Sequence, residues 1–284
     1  MDLKKGFGGQ KNKKNDGVFG LNDWEIFDIR LFGSDMDRVL KIIDGWIVSK
    51  AKKKWIATVN PEFVMKSTKD DHFKSLLEKT DLNVVDGVGL LWAHEFIKLS
   101  SCKVHQVNKF IKFLDAIKIG GEILKGKHRE NLITGVDLMS ELCRLAAKKR
   151  YKVFFLGGFG DRAKRTMEYF EKDKIKMDYC SGEPKFNNEK VLEKINKFKP
   201  DILFVAYGMK KQEEWISNNR NKADFGVVIG VGRSFDYYSG DLKRAPLAWR
   251  KIGMEWLYSL IKEPKRFKRQ LELPKFMWKV LIKN

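Results

Sequence analysis

Residues 55–87 constrain this chain more than any other stretch. They read W-I-A-T-V-N-P-E-F-V-M-K-S, then a polar amphipathic segment, then D-L-N-V-V-D-G. Trp55–Val59 is a short apolar, β-rich run that suits a buried strand, and Pro61 suits the first turn of a following helix. Phe63, Met65 and the Phe73/Leu76/Leu77 group give the helical segment an apolar face. Leu82–Val85 is a second buried strand, ending in Asp86-Gly87. Strand, helix, strand within about thirty residues is a βαβ unit. In an open parallel sheet ligands bind along the carboxyl edge of the strands. Thr58 and Asn60 leave the first strand at that edge and Asp86 leaves the second. Two hydrogen-bonding side chains and a carboxylate therefore converge on one crevice. The same residues also suit plain turns, with Asn60 starting one and Asp86-Gly87 making another.

The alternation of strands and helices continues on both sides of this unit. Trp24–Phe32 alternates weakly and reads as a first strand, followed by a helix over Arg38–Lys50. Asp35-Met36-Asp37 before that helix has the form of the Asp-X-Asp metal motif of many sugar transferases, but its place favours helix capping. Val88–Leu99 reads as a helix. Ser100–His128 is basic and irregularly apolar, either an excursion over the site or a flexible insert. Asn131–Leu138 reads as strand, Gly turn and helix start, with a helix over Ser140–Lys149 and a strand over Val153–Leu156. Gly157-Gly158-Phe159-Gly160 then opens a helix over Arg162–Lys172. Such a turn lets backbone N–H groups approach a phosphate, and it also serves as a simple tight turn. Lys190–Phe198 is a helix and Asp201–Tyr207 a strand. Gly208-Met-Lys-Lys-Gln212 follows, at a strand's carboxyl end. Phe225–Gly230 is a further strand, followed by V-G-R-S-F-D, which contains Gly232 and Asp236. Asp236 also fits a helix cap. The pattern predicts an α/β, doubly wound, mostly parallel Rossmann-like sheet over residues 21–245. A basic, aromatic, helical C-terminal appendage occupies residues 246–284. Residues 1–20 are rich in Gly, Lys and Asn and read as a disordered tail, neither signal peptide nor anchor.

Charge narrows the partner. Lys+Arg number 57 against 37 Asp+Glu, a formal net charge of +20, which calls for an anionic partner such as a phosphorylated substrate, an acidic membrane or nucleic acid. The basic residues are spread along the chain and no nucleic-acid motif appears, so nucleic-acid binding is a competing class with little in its favour. A nicotinamide-dependent Rossmann oxidoreductase is the other. G-V-G after a strand hints at it, but the third glycine and the acidic ribose-binding residue are missing. Cys102, Cys143 and Cys180 are scattered and odd in number, which suits a reducing compartment and forms no metal-ligand spacing. The C-terminal segment interleaves Arg and Lys with Trp256, Tyr258, Phe267, Phe276 and Trp278, a composition suited to an interfacial helix on anionic lipid.

Taken together, T-V-N-P-E with V-V-D-G-V-G, I-T-G-V-D-L, F-F-L-G-G, G-M-K-K-Q-E-E-W-I, I-G-V-G-R-S-F-D-Y-Y-S-G-D-L-K-R-A-P, and M-E-W-L-Y with E-P-K-R-F-K-R resemble the WecG/TagA/CpsF glycosyltransferase family. The likeness spans residues 25–270. It implies a hexosyltransferase that moves a sugar, N-acetylmannosamine or its uronic acid, from a UDP-sugar to a polyprenyl-diphosphate-linked saccharide. The products would build teichoic acid, cell-wall or other cell-surface polysaccharide. It makes Asp86 the catalytic base of an inverting transfer and Gln212 a ligand of the donor sugar. Thr58 and Asn60 would position hydroxyls, and Gly157, Gly158, Gly208 and Gly232 would offer backbone to nucleotide and diphosphate. Asp236 completes the candidate set, and Arg244, Arg266 and Arg269 would neutralise diphosphate charge. No cofactor and no metal are expected. The enzyme would be cytoplasmic and peripheral on the inner face of the cell membrane, with homo-oligomers as further partners. The chain departs from the family pattern in three places. Lys210 stands where a proline is usual, Leu132 where an arginine is usual (with Arg129 nearby), and Ser259 where E-W-L-Y is often followed by arginine.

Overall fold

The computed structural model describes residues 23–102, 108–183 and 188–283, so the tail expected over residues 1–20 lies outside the described residues. The chain opens with a hairpin of β1 (Asp23–Ile26) and β2 (Ile29–Phe32), then α1 (Met36–Val48), β3 (Lys54–Val59), α2 (Pro61–Ser67), α3 (Asp71–Glu78) and β4 (Leu82–Val85). Next come α4 (Val88–Cys102), α5 (Lys109–Leu124), α6 (Gly135–Lys149), β5 (Lys152–Gly157), α7 (Arg162–Phe170) and β6 (Lys176–Cys180). Then follow α8 (Asn188–Phe198), β7 (Ile202–Ala206), α9 (Lys211–Asn219), β8 (Val227–Gly230) and α10 (Ser234–Tyr238). Four short helices close the chain: α11 (Leu247–Lys251), α12 (Glu255–Lys262), α13 (Phe267–Gln270) and α14 (Glu272–Lys283).

One eight-stranded sheet runs in the order β1-β2-β4-β3-β8-β7-β5-β6, and every pairing except β1 with β2 is parallel. Both faces are covered, which is why the inner strands read as continuous apolar runs. Trp55, Ala57, Val59, Leu203 and Val205 face a core closed by α2, α3, α4, α9 and α14. Ile56, Phe155, Phe204 and Ile229 face a second core closed by α1, α6, α7 and α10. This is the doubly wound sheet that the alternation of elements predicts.

Several local expectations are corrected. Trp24–Phe32 is a hairpin, because Phe27 and Asp28 both take positive φ (50° and 62°) and fold the strand back in a two-residue turn. The alternation passes through so short a turn, so the sequence hides it. Asn131–Leu138 contains no strand. Ile133 makes a single sheet-like bond, its N–H to the Val85 carbonyl at 2.8 Å, before Thr134 caps α6. The segment after β3 is two helices, because Asp70 accepts from the Phe73 N–H at 2.9 Å and starts α3 afresh. Strand β6 is an edge strand with half-exposed side chains, too weakly apolar to read as a strand. Of the stretch 100–128, the described residues form the end of α4 and the whole of α5, and residues 103–107 lie outside the described residues. The final helix, α14, packs on α2, α4 and α5 and buries Phe276 and Val280 completely.

Candidate active site

Strands β3, β4, β7 and β8 end side by side, and a cavity of about 340 Å³ opens at that edge. Thr58 and Asn60 reach it from the end of β3, Asp86 from the end of β4, Gly208 from the turn after β7, Gln212 from the start of α9, and Gly232 from the turn after β8. The C-terminal helices roof it through Arg250, Glu255, Trp256 and Ser259. Residues separated by almost two hundred positions thus share one wall, because parallel strands put all their carboxyl ends on one edge.

Asp86 is half-buried at this edge. Its N–H is held by the Val59 carbonyl at 2.7 Å, and its Oδ2 accepts from the Gly135 N–H, the first of α6, at 3.4 Å. Burial pushes the Asp86 carboxyl up to about 7; the Gly135 N–H opposes the rise, Glu255 and Asp137 add to it, and Arg244 opposes it. A carboxyl poised there accepts a proton near neutrality. Thr58 is buried and donates its hydroxyl to the Gly230 carbonyl at 3.0 Å, fastening β3 to β8. Asn60 caps α2, its Oδ1 accepting from the Phe63 N–H at 3.1 Å. Its amide nitrogen is the part of the side chain that this cap does not use.

Gln212 is buried beside β8. Its Oε1 accepts from the Gly232 N–H at 3.0 Å, and its Nε2 donates to Glu213 Oε1 at 2.7 Å. A Cβ on Gly230 would lie 2.6 Å from Gln212 Nε2, so only glycine leaves room for this seat. Glu213 is fully buried, its other oxygen accepting from the Lys210 N–H at 2.7 Å, and burial raises its carboxyl to about 7 against the pull of these donors. Lys210 sits at φ 73°. A proline, fixed near −65°, could neither take that conformation nor supply the N–H. The lysine at this position therefore goes with a turn of its own, and Lys210 Nζ pairs with Asp70 at 2.7 Å.

The arginines of the cavity are mostly engaged by acids. Arg244 holds both oxygens of Asp137, at 2.5 and 2.8 Å, and Glu255 at 3.0 Å. These acids raise the Arg244 pKa further, and Arg244 with the Thr134 hydroxyl holds Asp137 low despite its burial. Arg269 grips Glu62 at 2.9 and 2.8 Å, and Arg233 grips Glu263 at 3.1 and 2.9 Å. Arg250 donates its Nε to the Ala245 carbonyl at 3.0 Å and also lines the cavity. Arg266 lies in the turn Pro264–Arg266, and its side chain is outside the described residues. Arg129 does not line the cavity. It donates to the carbonyls of Ile123, Arg250 and Lys251 and stitches the end of α5 to the end of α11.

The structure thus gathers Thr58, Asn60, Asp86, Gly208, Gln212, Gly232, Arg244 and Arg269 around one space. Gly157 and Gly158 stand at the end of β5 and do not line it. Asp236 lies in α10 and is tied to Arg162 at 2.7 Å and Arg233 at 2.9 Å, away from the wall. Asp35 caps α1, accepting from the Arg38 N–H at 2.8 Å. Among the described residues, no group of three or more His, Cys, Asp or Glu side chains is placed to hold a metal ion. Sequence reasoning places Glu213 beside Gln212 at the start of a helix and gives it no role, and it misses Arg233 and Arg250. The signal for Arg233 was only adjacency to Gly232.

The family model described as glycosyl transferase WecG/TagA/CpsF matches residues 24–119 and 115–284. Two curated proteins named N-acetylglucosaminyldiphosphoundecaprenol N-acetyl-beta-D-mannosaminyltransferase are similar along most of their length. The protein of Staphylococcus aureus strain MW2 is 30% identical over 228 residues, which is 80% of this chain and 79% of that protein. Its counterpart in strain MRSA252 is 31% identical over 229 residues, again 80% and 79%.

Proposed function

This chain belongs to the WecG/TagA/CpsF family of glycosyl transferases, and from that premise we propose that it transfers an N-acetylmannosamine-type sugar from a UDP donor to a polyprenyl-diphosphate-linked N-acetylglucosamine. It is a hexosyltransferase of cell-surface polysaccharide or teichoic acid synthesis. The observation that carries the finer reading is Asp86, a carboxyl raised to about 7 at the carboxyl edge of the sheet inside the cavity.

In this mechanism the acceptor hydroxyl gives its proton to Asp86 as its oxygen attacks the anomeric carbon. The bond from that carbon to the diphosphate oxygen breaks, and UDP leaves with the electron pair. Attack from the face opposite the leaving group inverts the anomeric centre. The Gly135 N–H steadies the Asp86 carboxylate before the proton arrives. The Nδ2 group of Asn60 is available to a sugar hydroxyl, while Gln212 acts by holding the Gly232 backbone in place. Arg250 lines the cavity and is held by the Ala245 carbonyl rather than by an acid, so its charge would meet the diphosphate. No metal takes part in this scheme, and the acceptor is met at an anionic membrane surface.

The test is UDP release across a panel of UDP-sugars, with a short-chain lipid-diphosphate N-acetylglucosamine as acceptor. UDP-N-acetylmannosamine should give acceptor-dependent release that persists in EDTA. Acceptor-independent release alone, or no release with any sugar, overturns the transfer reading. Loss on chelation with rescue by Mg²⁺ or Mn²⁺ overturns the metal-free scheme.

A further inference from the structure

Helix α5 has two apolar faces, and the described residues cover only one of them. Ala116, Ile119 and Ile123 are buried, and the Ala116 carbonyl accepts from the Trp92 indole N–H of α4 at 2.9 Å. Phe110, Phe113, Leu114 and Ile117 are each between 48% and 64% exposed, and Leu124 continues the stripe. At 3.6 residues per turn these five positions fall within an arc of about 100°, centred about 140° around the helix from the buried face. A solvated surface helix carries polar residues there. Five large apolar side chains in one row mark an interaction surface.

The charge around the stripe selects the partner. Residues 109–127 hold five lysines against Asp115 and Glu122, and Lys109, Lys118 and Lys125 are exposed. Helix α14 packs against α5 and adds exposed Trp278 and Ile282, with Lys275 and Lys283 also exposed. Aromatic and aliphatic side chains edged by lysines match the boundary of an anionic bilayer, where rings and alkyl groups enter the acyl region and ammonium groups stay at the phosphates. The other end of α5 is tied by Arg129 to the carbonyls of Arg250 and Lys251, and the Arg250 side chain lines the cavity. A membrane under α5 is thus mechanically joined to the roof of the cavity.

We propose that the exposed Phe110/Phe113/Leu114/Ile117 face of α5 is a membrane-docking surface that seats the enzyme on anionic lipid, with α14 as its neighbour. The inference rests on the transfer reading only for its purpose, since docking brings the cavity to a lipid-linked acceptor. The surface itself is read without substrate.

The experiment uses the full chain and the double substitution Phe113→Gln/Ile117→Gln, with flotation on phosphatidylcholine vesicles with and without phosphatidylglycerol. Both positions are exposed, so the melting temperature should match the wild type. The wild type should float with the anionic vesicles, and the variant should partition at least about tenfold more weakly. Transfer to acceptor embedded in vesicles should fall in parallel, while transfer to a water-soluble short-chain acceptor should stay at the wild-type rate. Equal flotation of variant and wild type overturns the proposal. So does a wild-type oligomer that the substitution dissociates while vesicle binding is unchanged, because the face then belongs to a second copy. If the wild type floats but transfers to neither acceptor, docking stands and the transfer reading falls.

Discussion

Gln212 donates a side-chain N–H to Glu213 across 2.7 Å, with both side chains buried at the start of α9. The bond fixes which end of the amide faces Gly232. Glu213→Ala removes the acceptor of both Gln212 Nε2 and the Lys210 N–H. Buried donors left without partners cost about 1–3 kcal/mol each. Denaturant unfolding should show a loss of that order, and the KM for the donor should rise as the Gly232 turn loosens.

Asp86→Asn is nearly isosteric and removes the proton acceptor. Transfer should fall by about 10²–10⁴ while the melting temperature does not drop. A purified Asp86→Asn protein that turns over at the wild-type rate would rule Asp86 out as the base.

The pH dependence has a definite sign. Asp86 and Glu213 are both raised to about 7, above the ordinary 3.8 and 4.5. Between those limits the folded protein holds more protons than the unfolded chain, so these two groups make stability fall as pH rises from about 4 to about 7. Activity runs the other way, because the base works as a carboxylate. The rate should climb through about pH 7 and level off above it. Glu213→Gln should flatten part of the stability profile and leave the rising limb of the rate in place. Thermal melts and initial rates across pH 5–9 read the two effects separately.

Lys210 sits at positive φ and donates its N–H to Glu213. Lys210→Pro forbids both, although proline is usual in the family pattern at this point. The substitution should lower stability by about 1–3 kcal/mol unless the turn rearranges. An unchanged melting temperature would show that the turn accommodates either residue.

Phe276 is completely buried among α2, α4 and α5, with its ring edge-on to Phe27 at 6.1 Å. Phe276→Ala should cost about 3–5 kcal/mol. Removing residues 272–284 should therefore weaken the whole domain, where a loosely attached appendage would leave it intact. Calorimetry on both variants separates these outcomes.

How much of this was legible in the sequence follows from what local pattern encodes. The doubly wound sheet was, because strands buried on both faces must be continuously apolar and parallel strands need helical crossovers. Asp86, Thr58 and Gln212 were legible as residues leaving strand ends. The hairpin at Phe27-Asp28 was not, since a two-residue turn leaves the alternation intact. Edge strand β6 was hidden because half-exposed residues carry little apolar signal.

The sequence by itself determined the layers, the edge on which the cavity opens and the family. Each is a consequence of periodicity or of motifs local in the chain. Only the tertiary structure decided what the candidate groups touch. Arg244 reads as a diphosphate ligand and is clamped on Asp137 and Glu255; Asp236 reads as a site residue and pairs with Arg162 and Arg233; α14 reads as an appendage and buries Phe276. A charge or an aromatic ring announces itself in sequence, but its partner is set by long-range packing, and the partner fixes whether it faces a ligand, a neighbour or the core.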